Sequence, residues 1–266
     1  MIIGFWSEKP GKGSVTYNML ASGLSISSKC RNNVILMQGK ADYNRIDYAF
    51  VPYSEYNLMR EDNGNYNAGG VDLILNKLEN HVYSNRELQK EIVRVRDSNL
   101  YYLPSSRISC HELFDKRFSK VYETYLENMR SMKELIMLEL SNGFRYVTKE
   151  VLVSLDLLII NISQDNKALE EIKNNRALME KSLFIIGRYD DSSEFNMRNI
   201  GRRYGIDESA LGAVPYSVRF KDAVCMGKSK EFFERHIHAD RNDDEYIFMK
   251  YLNNTSEMIL KRCLKN

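Results

Sequence analysis

The first residues that could do chemistry form a short glycine-rich segment near the start of the chain. Residues 7–14 read Ser-Glu-Lys-Pro-Gly-Lys-Gly-Ser and lie between a hydrophobic run and a helix-like pattern. Glycines let backbone N–H groups approach a ligand closely, and the N-terminus of a helix attracts negative charge. The segment therefore predicts a binding site for a phosphate group. Its candidate residues are Gly11, Lys12, Gly13, Ser14 and Val15.

This motif is weak when it is judged by spacing alone. The standard phosphate-binding pattern, G-x-x-x-x-G-K-[ST], has a glycine five residues before Gly11, where Trp6 stands. It also has a hydroxyl residue after Lys12, where Gly13 stands, so one ligand for Mg²⁺ is missing. A tight strand-to-helix turn that binds nothing is the alternative, and the motif leaves it open.

The elements on either side of this segment predict a parallel sheet. Residues 2–6 and 34–37 are short hydrophobic runs, and apolar residues recur at helical spacing over residues 15–28. This order is the β–α–β unit of a parallel crossover. Ligands of such sheets bind beyond the carboxyl ends of the strands, which is where the glycine-rich segment lies.

The alternation of strands and helices continues to the end of the chain. Further strands are predicted at residues 100–103, 134–140, 155–162, 182–187 and 211–214. Helices are predicted at residues 71–77, 85–94, 111–130, 148–153, 166–180, 195–204 and 243–264, and an irregular connection with one helical turn at 42–70. We therefore expect one three-layer α/β domain over residues 1–266, with a mostly parallel sheet of about six to eight strands and a C-terminal helix at about 243–264.

Composition narrows the class of protein. The 266 residues are 43% hydrophobic and 28% charged with a net charge of +2, which favours neither nucleic acid nor anionic membrane. The four cysteines form no C-x-x-C pair, so a zinc ribbon is not expected. The chain begins without the basic region of a signal peptide, and its longest apolar run, residues 151–162, is too short to cross a bilayer. We expect a cytoplasmic protein, with peripheral attachment to the inner face of the cell membrane as the alternative.

Seven segments occur in an order that is typical of one family. They are Gly-Phe-Trp-Ser at 4–7, Gly-Lys-Gly-Ser-Val-Thr-Tyr-Asn at 11–18, Leu-Tyr-Tyr-Leu-Pro-Ser-Ser at 100–106, Ile-Met-Leu-Glu-Leu-Ser-Asn-Gly at 136–143, Asp-Leu-Leu-Ile-Ile-Asn at 156–161, Ile-Ile-Gly-Arg-Tyr at 185–189 and Val-Pro-Tyr at 214–216. With these segments the chain resembles the ParA/MinD group of deviant Walker-A ATPases. It is most similar to the CpaE/TadZ branch, which localises and helps to assemble Tad-type pili.

The resemblance implies a fold, a ligand and partners. The fold is that of a SIMIBI-like P-loop NTPase, the ligand is ATP, and the protein is a homodimer that works with pilus or secretion machinery. Beyond the loop, Glu139 stands in the Walker-B strand, Arg188 in the segment beside the adenine and Pro215 in the segment that follows. The ATP contacts that the resemblance implies are Gly11, Lys12, Gly13, Ser14, Val15, Glu139, Arg188 and Pro215.

Departures from the family pattern concentrate on the metal side of this site. Gln38 and Lys40 stand where the family has two aspartates that serve the metal and the attacking water. Gly13 replaces the Mg²⁺-binding hydroxyl residue, and Ser7 replaces the signature lysine. Glu139 replaces the Walker-B aspartate, and Gly187 replaces the adenine-contacting asparagine. Because phosphoryl transfer depends on positioning and on the charge of Mg²⁺, these replacements predict ATP binding with little or no hydrolysis. They speak against bound Mg²⁺, and we assign no catalytic residue and no metal ligand.

Two other classes of function stay open on the sequence alone. A nucleotide-independent pseudo-ATPase scaffold would keep the fold, dimerise and recruit partners. A different enzyme on a related P-loop fold, such as an ATP-dependent ligase, would need a nucleophile and a base, and the residues offer no such constellation.

Other clusters have simple structural explanations. His236 and His238 form a His-x-His pair that could hold a metal, but we expect a solvated segment before the last helix. The basic face at residues 198–203 is expected to be solvated, so DNA is not an expected partner. Tyrosines within residues 43–66 suit either a partner surface or the packing of a long connection. We expect the last helix to pack on the sheet, so any membrane association would come through partners.

Overall fold

The strand that begins the chain lies inside an eight-stranded sheet in the computed structural model of the protein. The structure describes residues 1–9, 11–41, 45–52, 69–82, 85–108, 110–143, 151–152, 154–170, 173 and 176–264. The strands are β1 (Ile2–Trp6), β2 (Val34–Gly39), β3 (Val93–Arg94), β4 (Leu100–Tyr102), β5 (Leu135–Leu140), β6 (Leu157–Ile162), β7 (Ser182–Tyr189) and β8 (Leu211–Pro215). Their order across the sheet is β3-β4-β2-β5-β1-β6-β7-β8, and only the β3–β4 pair is antiparallel. The predicted α/β fold with a mostly parallel sheet is confirmed.

Helices cover both faces of this sheet. They are α1 (Val15–Ser27), α2 (Gly70–Glu79), α3 (Asn85–Glu91), α4 (His111–Ser131), α5 (Arg176–Lys181), α6 (Met197–Tyr204), α7 (Val218–Cys225), α8 (Ser229–His236) and α9 (Tyr246–Cys263). Helices α2, α4 and α6 contribute to the core on one face, whereas α1, α7, α8 and α9 contribute to the core on the other. The sheet is thus the middle layer of three.

Side chains of β1 alternate between the two cores. Ile2 and Trp6 lie in the core with α2 and α4, whereas Ile3 and Phe5 lie in the core with α1 and α9. Successive side chains of a strand point to opposite faces, so a strand that is covered on both faces must be apolar throughout. This explains why β1 is a continuous hydrophobic run in the sequence.

The outer edge of β8 is closed by one side chain of α9. The Thr255 hydroxyl accepts a hydrogen bond from Ala213 N–H at 2.9 Å and donates one to the Ala213 carbonyl at 2.8 Å. The fit is tight, because a Cβ at Gly212 would stand 2.7 Å from Thr255 Oγ1. Unpaired strand edges invite association with other chains, and α9 covers this one.

The structure differs from the sequence prediction in three regions. Residues 85–91 are helical, but Val93 and Arg94 pair with β4 as strand β3, so the predicted helix over 85–94 is too long. Residues 166–170 form turns, and the following helix begins at Arg176. Helices α7 and α8 were not predicted. The predicted helix at 148–153 and the connection at 42–70 lie mostly outside the described residues.

Candidate functional site

The glycine-rich loop runs from the carboxyl end of β1 to the N-terminus of α1. Gly11 and Ser14 have left-handed backbone angles, with φ of 70° and 52°. Lys12 N–H donates to the Lys9 carbonyl at 3.4 Å, and the first helical bond runs from Asn18 N–H to the Ser14 carbonyl at 2.9 Å. The N–H groups in the first turn of α1 have no acceptor within the helix, and such groups attract anions.

Lys12 and Ser14 are the polar side chains nearest the start of α1 in this loop. Lys12 lies on the surface, and a Cβ at Gly11 would meet open space, so this part of the loop is accessible. The Ser14 hydroxyl oxygen is buried and has no hydrogen-bond partner in the described part of the chain. A buried polar group without a partner is costly, and a phosphate oxygen held at the loop would supply that partner.

Gly13 occupies a slot that no side chain can enter. A Cβ at Gly13 would stand 2.6 Å from both the Asn161 carbonyl oxygen and Ser7 Oγ. From the other side, a Cβ at Gly187 would stand 2.6 Å from the Gly13 carbonyl oxygen and 2.9 Å from Asn18 Nδ2. Both positions therefore hold glycine because the backbones approach each other here.

Two buried asparagines hold the loop in this position. Asn18 Nδ2 donates to the Gly13 carbonyl at 2.9 Å and to Asn161 Oδ1 at 2.8 Å. Asn161 Nδ2 in turn donates to the Trp6 carbonyl at 3.1 Å. The chain of amides links α1, β6 and the end of β1, and both side chains are at most 1% exposed. Buried polar groups that are paired in this way specify one arrangement of the backbone.

The loop after β5 is tied to the glycine-rich loop. Gly143 N–H donates to the Ser7 carbonyl at 3.0 Å, and Trp6 Nε1 donates to the Gly143 carbonyl at 3.1 Å. Gly143 has a φ of 74°, which favours glycine at this turn. The carboxyl ends of β1 and β5 therefore form one connected surface.

Glu139 forms the polar centre beneath the N-terminus of α1. Its side chain is fully buried, and one oxygen accepts hydrogen bonds from Thr16 Oγ1 at 2.5 Å and Lys40 Nζ at 2.7 Å. The other oxygen accepts a bond from Gln38 Nε2 at 2.7 Å. Lys40 is itself buried, with 6% of its side chain exposed. A buried carboxylate is stable only when it is paired and hydrogen-bonded, and this one is both.

The orientation of Gln38 is determined by its other neighbours. Its Oε1 accepts bonds from the Ser105 hydroxyl and from Ile46 N–H, the latter at 3.3 Å. The Asp47 carboxylate accepts a hydrogen bond from Ser105 N–H at 3.2 Å and forms an ion pair with Arg45 at 2.7 Å. Because donors surround Oε1, the Nε2 group must face Glu139, and the amide has one orientation that satisfies both ends.

Arg188 and Pro215 lie at the ends of the paired strands β7 and β8, and Gly187, the residue before Arg188, is in contact with the loop at Gly13. Arg188 is exposed and has a φ of 53° at the irregularity between Gly187 and Tyr189. Pro215 is buried and pairs with Tyr189. Ser217, two residues after Pro215, makes two hydrogen bonds with Tyr17. Its carbonyl oxygen accepts a bond from the Tyr17 hydroxyl at 3.2 Å, and its N–H donates to the Tyr17 hydroxyl oxygen at 3.2 Å.

Tyr17 is the link between α1 and the end of β8. Its ring packs edge-on against Phe220, with centroids 4.9 Å apart. Burial raises the pKa of the Tyr17 phenol well above its usual range, so the hydroxyl keeps its proton and donates it to Ser217.

The predicted site residues thus surround α1, but they do not share one surface. Gly11 and Lys12 are accessible, Arg188 is exposed, and Glu139 is sealed beneath the helix. Four residues whose hydrogen bonds connect the site residues to α1 and the sheet have no role in the sequence prediction. They are Thr16, Asn18, Ser105 and Asn161. Two signals were present: Thr16 and Asn18 are polar at the start of an apolar helix, and Asn161 interrupts an otherwise apolar strand.

The histidine pair is arranged differently from the expectation. His236 ends α8 and is buried, and its Nδ1 lies 2.9 Å from Asp243 Oδ2, so the prediction of a solvated segment is wrong for this residue. Among the described residues, no group of three or more His, Cys, Asp or Glu side chains is placed to hold a metal ion. No helix in the described ranges has the length and apolar character needed to cross a membrane.

Comparisons with known proteins place this geometry in context. No protein-family model and no curated protein sequence matches the chain. A ParA family ATPase from Chlorobium tepidum TLS is similar in structure, with a TM-score of 0.66 and 14% identity over 96% of this chain and 98% of that one.

Two further solved structures match over a similar length. The MinC:MinD cell division protein complex of Aquifex aeolicus contains a chain with a TM-score of 0.65 and 15% identity, over 98% of this chain and 95% of that one. The septum site-determining protein MinD of Pyrococcus horikoshii, complexed with Mg-ADP, has a TM-score of 0.65 and 14% identity, over 98% of this chain and 96% of that one. Identities this low concern the fold alone, and the chain has the fold of the ParA/MinD ATPases, a group of P-loop NTPases.

Proposed function

We propose that this protein is a ParA/MinD-like localisation and assembly factor that binds ATP and hydrolyses it weakly or not at all. One observation carries the proposal: the accessible loop keeps a phosphate-binding backbone, whereas Lys40 neutralises Glu139 beneath it at 2.7 Å. The loop favours the binding of ATP, whereas the pair of Lys40 and Glu139 opposes the hydrolysis of ATP.

The phosphate side of the site fits a nucleotide. The first turn of α1 presents backbone N–H groups, and the buried Ser14 hydroxyl needs a partner. Lys12 is exposed beside them and adds one positive charge. The MinD of Pyrococcus horikoshii was solved with Mg-ADP, which supports a nucleotide as the ligand of this fold.

The metal side of the site does not fit Mg²⁺. Gly13 carries no hydroxyl, and its slot excludes one. The oxygens of Glu139 are engaged by Thr16, Gln38 and Lys40. Phosphoryl transfer needs positive charge at the transferring group and an oriented water. Because Gly13 offers no hydroxyl and the Glu139 carboxylate is already engaged, we expect hydrolysis to be very slow.

A homodimer that recruits other proteins is the proposed working form. Tyr216, Val218 and Ile247 are each about half exposed, at 48%, 58% and 53%, which is unusual for large apolar side chains. They flank Ser217 and the Arg219–Asp244 ion pair, next to the start of α1. We propose that this surface forms the dimer contact on the nucleotide side.

Pilus or secretion machinery is the proposed partner. Support comes from the segments that resemble the CpaE/TadZ branch and from the MinC:MinD complex, in which a protein of this fold is bound to another protein. Docking to such machinery would place the protein at the inner face of the cell membrane.

Calorimetric titration with ATP tests the nucleotide part of this proposal. Wild type, Lys12→Ala and the control Lys120→Ala, which removes an exposed lysine from α4, are titrated with and without Mg²⁺. We expect micromolar binding by wild type and the control, and a loss of about tenfold or more in Lys12→Ala. Steady ATP turnover at ordinary enzyme rates would contradict the proposal.

A nucleotide-independent scaffold is the second candidate. The exposed position of Lys12 is compatible with it, because solvent weakens the attraction between an exposed charge and a phosphate. Absence of binding at millimolar ATP, together with an intact dimer, would establish this second function in place of the first.

A further inference from the structure

The buried ion pair of Lys40 and Glu139 bears on whether a metal cation can bind to the Glu139 carboxylate. The Nζ–Oε1 distance is 2.7 Å, which is that of a charge-assisted hydrogen bond. The side chain of Glu139 is fully buried and that of Lys40 nearly so. The two residues come from the ends of adjacent strands, because Glu139 of β5 pairs in register with Gln38 of β2.

The cluster contains the oxygen atoms that a divalent ion prefers. Glu139 supplies a carboxylate and Thr16 a hydroxyl, and their oxygens are 2.5 Å apart. Carboxylate and hydroxyl oxygens are ligands for Mg²⁺ and Mn²⁺, which bind them at about 2.1 Å. An ammonium group 2.7 Å from the same carboxylate oxygen excludes a second cation from that position. The ammonium group therefore takes up the space and the negative charge that a divalent ion would need at this oxygen.

The position of this cluster relative to the loop matters as well. Thr16 is the second residue of α1, so the cluster lies directly beneath the helix turn that faces the predicted phosphate. A positive charge at this place lies next to the helix turn that would face the phosphate.

We infer that Lys40 is a tethered cation that takes the place of a divalent metal ion beside the phosphate loop. The loop then works without metal, and removal of the Lys40 side chain opens a divalent-cation site made from Glu139 and Thr16. The part that concerns phosphate rests on the proposed function, whereas the part that concerns the cation is a property of the protein alone. A purely structural ion pair would leave no such site behind.

Binding of Mn²⁺, followed by electron paramagnetic resonance in the absence of nucleotide, tests the inference. The full chain is compared as wild type, Lys40→Ala and Lys40→Ala/Glu139→Gln. Lys29→Ala is the matched control, because Lys29 also pairs with a glutamate, Glu257 at 3.5 Å, at the far end of α1.

We expect Lys40→Ala to bind one Mn²⁺ at least about tenfold more tightly than wild type does. The double variant and Lys29→Ala should bind no better than wild type. Mg²⁺ at millimolar concentration should raise the melting temperature of Lys40→Ala by about 3 °C or more and leave wild type unchanged. A folded Lys40→Ala protein that gains no Mn²⁺ site overturns the inference, and so does a Mn²⁺ site in wild type that Glu139→Gln removes.

Two further measurements separate a failure of the inference from an unfolded variant and from a failure of the proposed function. If circular dichroism shows that Lys40→Ala is unfolded, Lys40→Gln replaces it, since the amide keeps a donor for Glu139 without the charge. For wild type, the ATP affinity should change by less than about twofold between Mg²⁺ and a chelator. A wild type that binds no ATP refutes the proposed function but leaves the Mn²⁺ result standing, so the two failures are distinguishable.

Discussion

Gly187 lies against the carbonyl of Gly13 so closely that a Cβ on Gly187 would stand 2.6 Å from that oxygen. The two residues are 174 positions apart in the sequence, and they bring the loop after β1 into contact with the end of β7. The contact leaves no space for a side chain at either position.

Introducing an asparagine at this contact should therefore destabilise the protein. We expect Gly187→Asn to lower the free energy of unfolding by about 1–3 kcal/mol, as overpacking of a filled interior does. Urea unfolding followed by circular dichroism measures the change. Gly69→Ala is the control, because its Cβ would meet ordinary contact at 3.6 Å, and it should change stability by less than about 0.5 kcal/mol. Equal stability of Gly187→Asn and wild type would show that the glycine contact is less tight than described.

The pair of Lys40 and Glu139 should be strongly coupled in stability. Glu139→Gln and Lys40→Met each leave one buried charge without its partner, and each should cost about 3–5 kcal/mol. The double variant Lys40→Met/Glu139→Gln leaves no charge and should cost much less than the sum of the two. Urea unfolding of all four proteins completes the double-mutant cycle. Additive effects would argue that the two charges do not interact.

Mutation of the exposed apolar surface should affect assembly and leave folding intact. We expect Val218→Asp to convert a dimer to a monomer at micromolar concentration, because a carboxylate would have to be desolvated in the contact. Sedimentation equilibrium measures the mass with and without ATP. Val82→Asp is the control, since Val82 is 71% exposed and follows α2 on the other face of the sheet. A monomeric wild type at all concentrations would refute the proposed dimer surface.

The contact between His236 and Asp243 should make stability depend on pH. Hydrogen bonding from Glu245 N–H, and then from His236, lowers the pKa of Asp243 below its ordinary value. A carboxylate with a lowered folded-state pKa stabilises the protein above its unfolded pKa of about 3.9, and this contribution is lost as the pH falls through the folded value. Wild type should thus exceed Asp243→Asn in stability at pH 7, and the difference should shrink towards pH 3. Unfolding in urea at several pH values measures it, and a difference that grows on acidification would contradict the assignment.

The four cysteines should react with thiol reagents at two different rates. Cys110 and Cys225 are exposed, whereas burial raises the pKa of Cys263 to about 11 and also raises the pKa of Cys30. At pH 8 only about one Cys263 thiol in a thousand is then ionised, and the thiolate is the reactive form. Alkylation followed by mass spectrometry should label Cys110 and Cys225 first, and unfolding in urea should equalise the rates. Early labelling of Cys263 would show that its environment is wetter than described.

The sequence by itself determined the fold and the place of the candidate site. Buried parallel strands are apolar on both faces, so β1, β5 and β6 appear as hydrophobic runs, and the glycine-rich loop between β1 and α1 indicates where an anion would bind. Local signals of this kind need only neighbouring residues. Helices α7 and α8 were not predicted, although the sequence carried one signal for α7, because Ser217 caps it by accepting a hydrogen bond from Phe220 N–H at 3.0 Å.

Only the tertiary structure decided what the altered residues do. Lys40 and Glu139 are 99 positions apart, and nothing local indicates that their charges meet in a buried pair. In the same way, His236 is buried because α8 packs on α1 and α7, with Asp243 beside it, not because of its own sequence neighbours. Parallel sheets bring the ends of distant strands to one edge, so the chemistry at that edge depends on pairing in space, which hydrophobic periodicity does not encode.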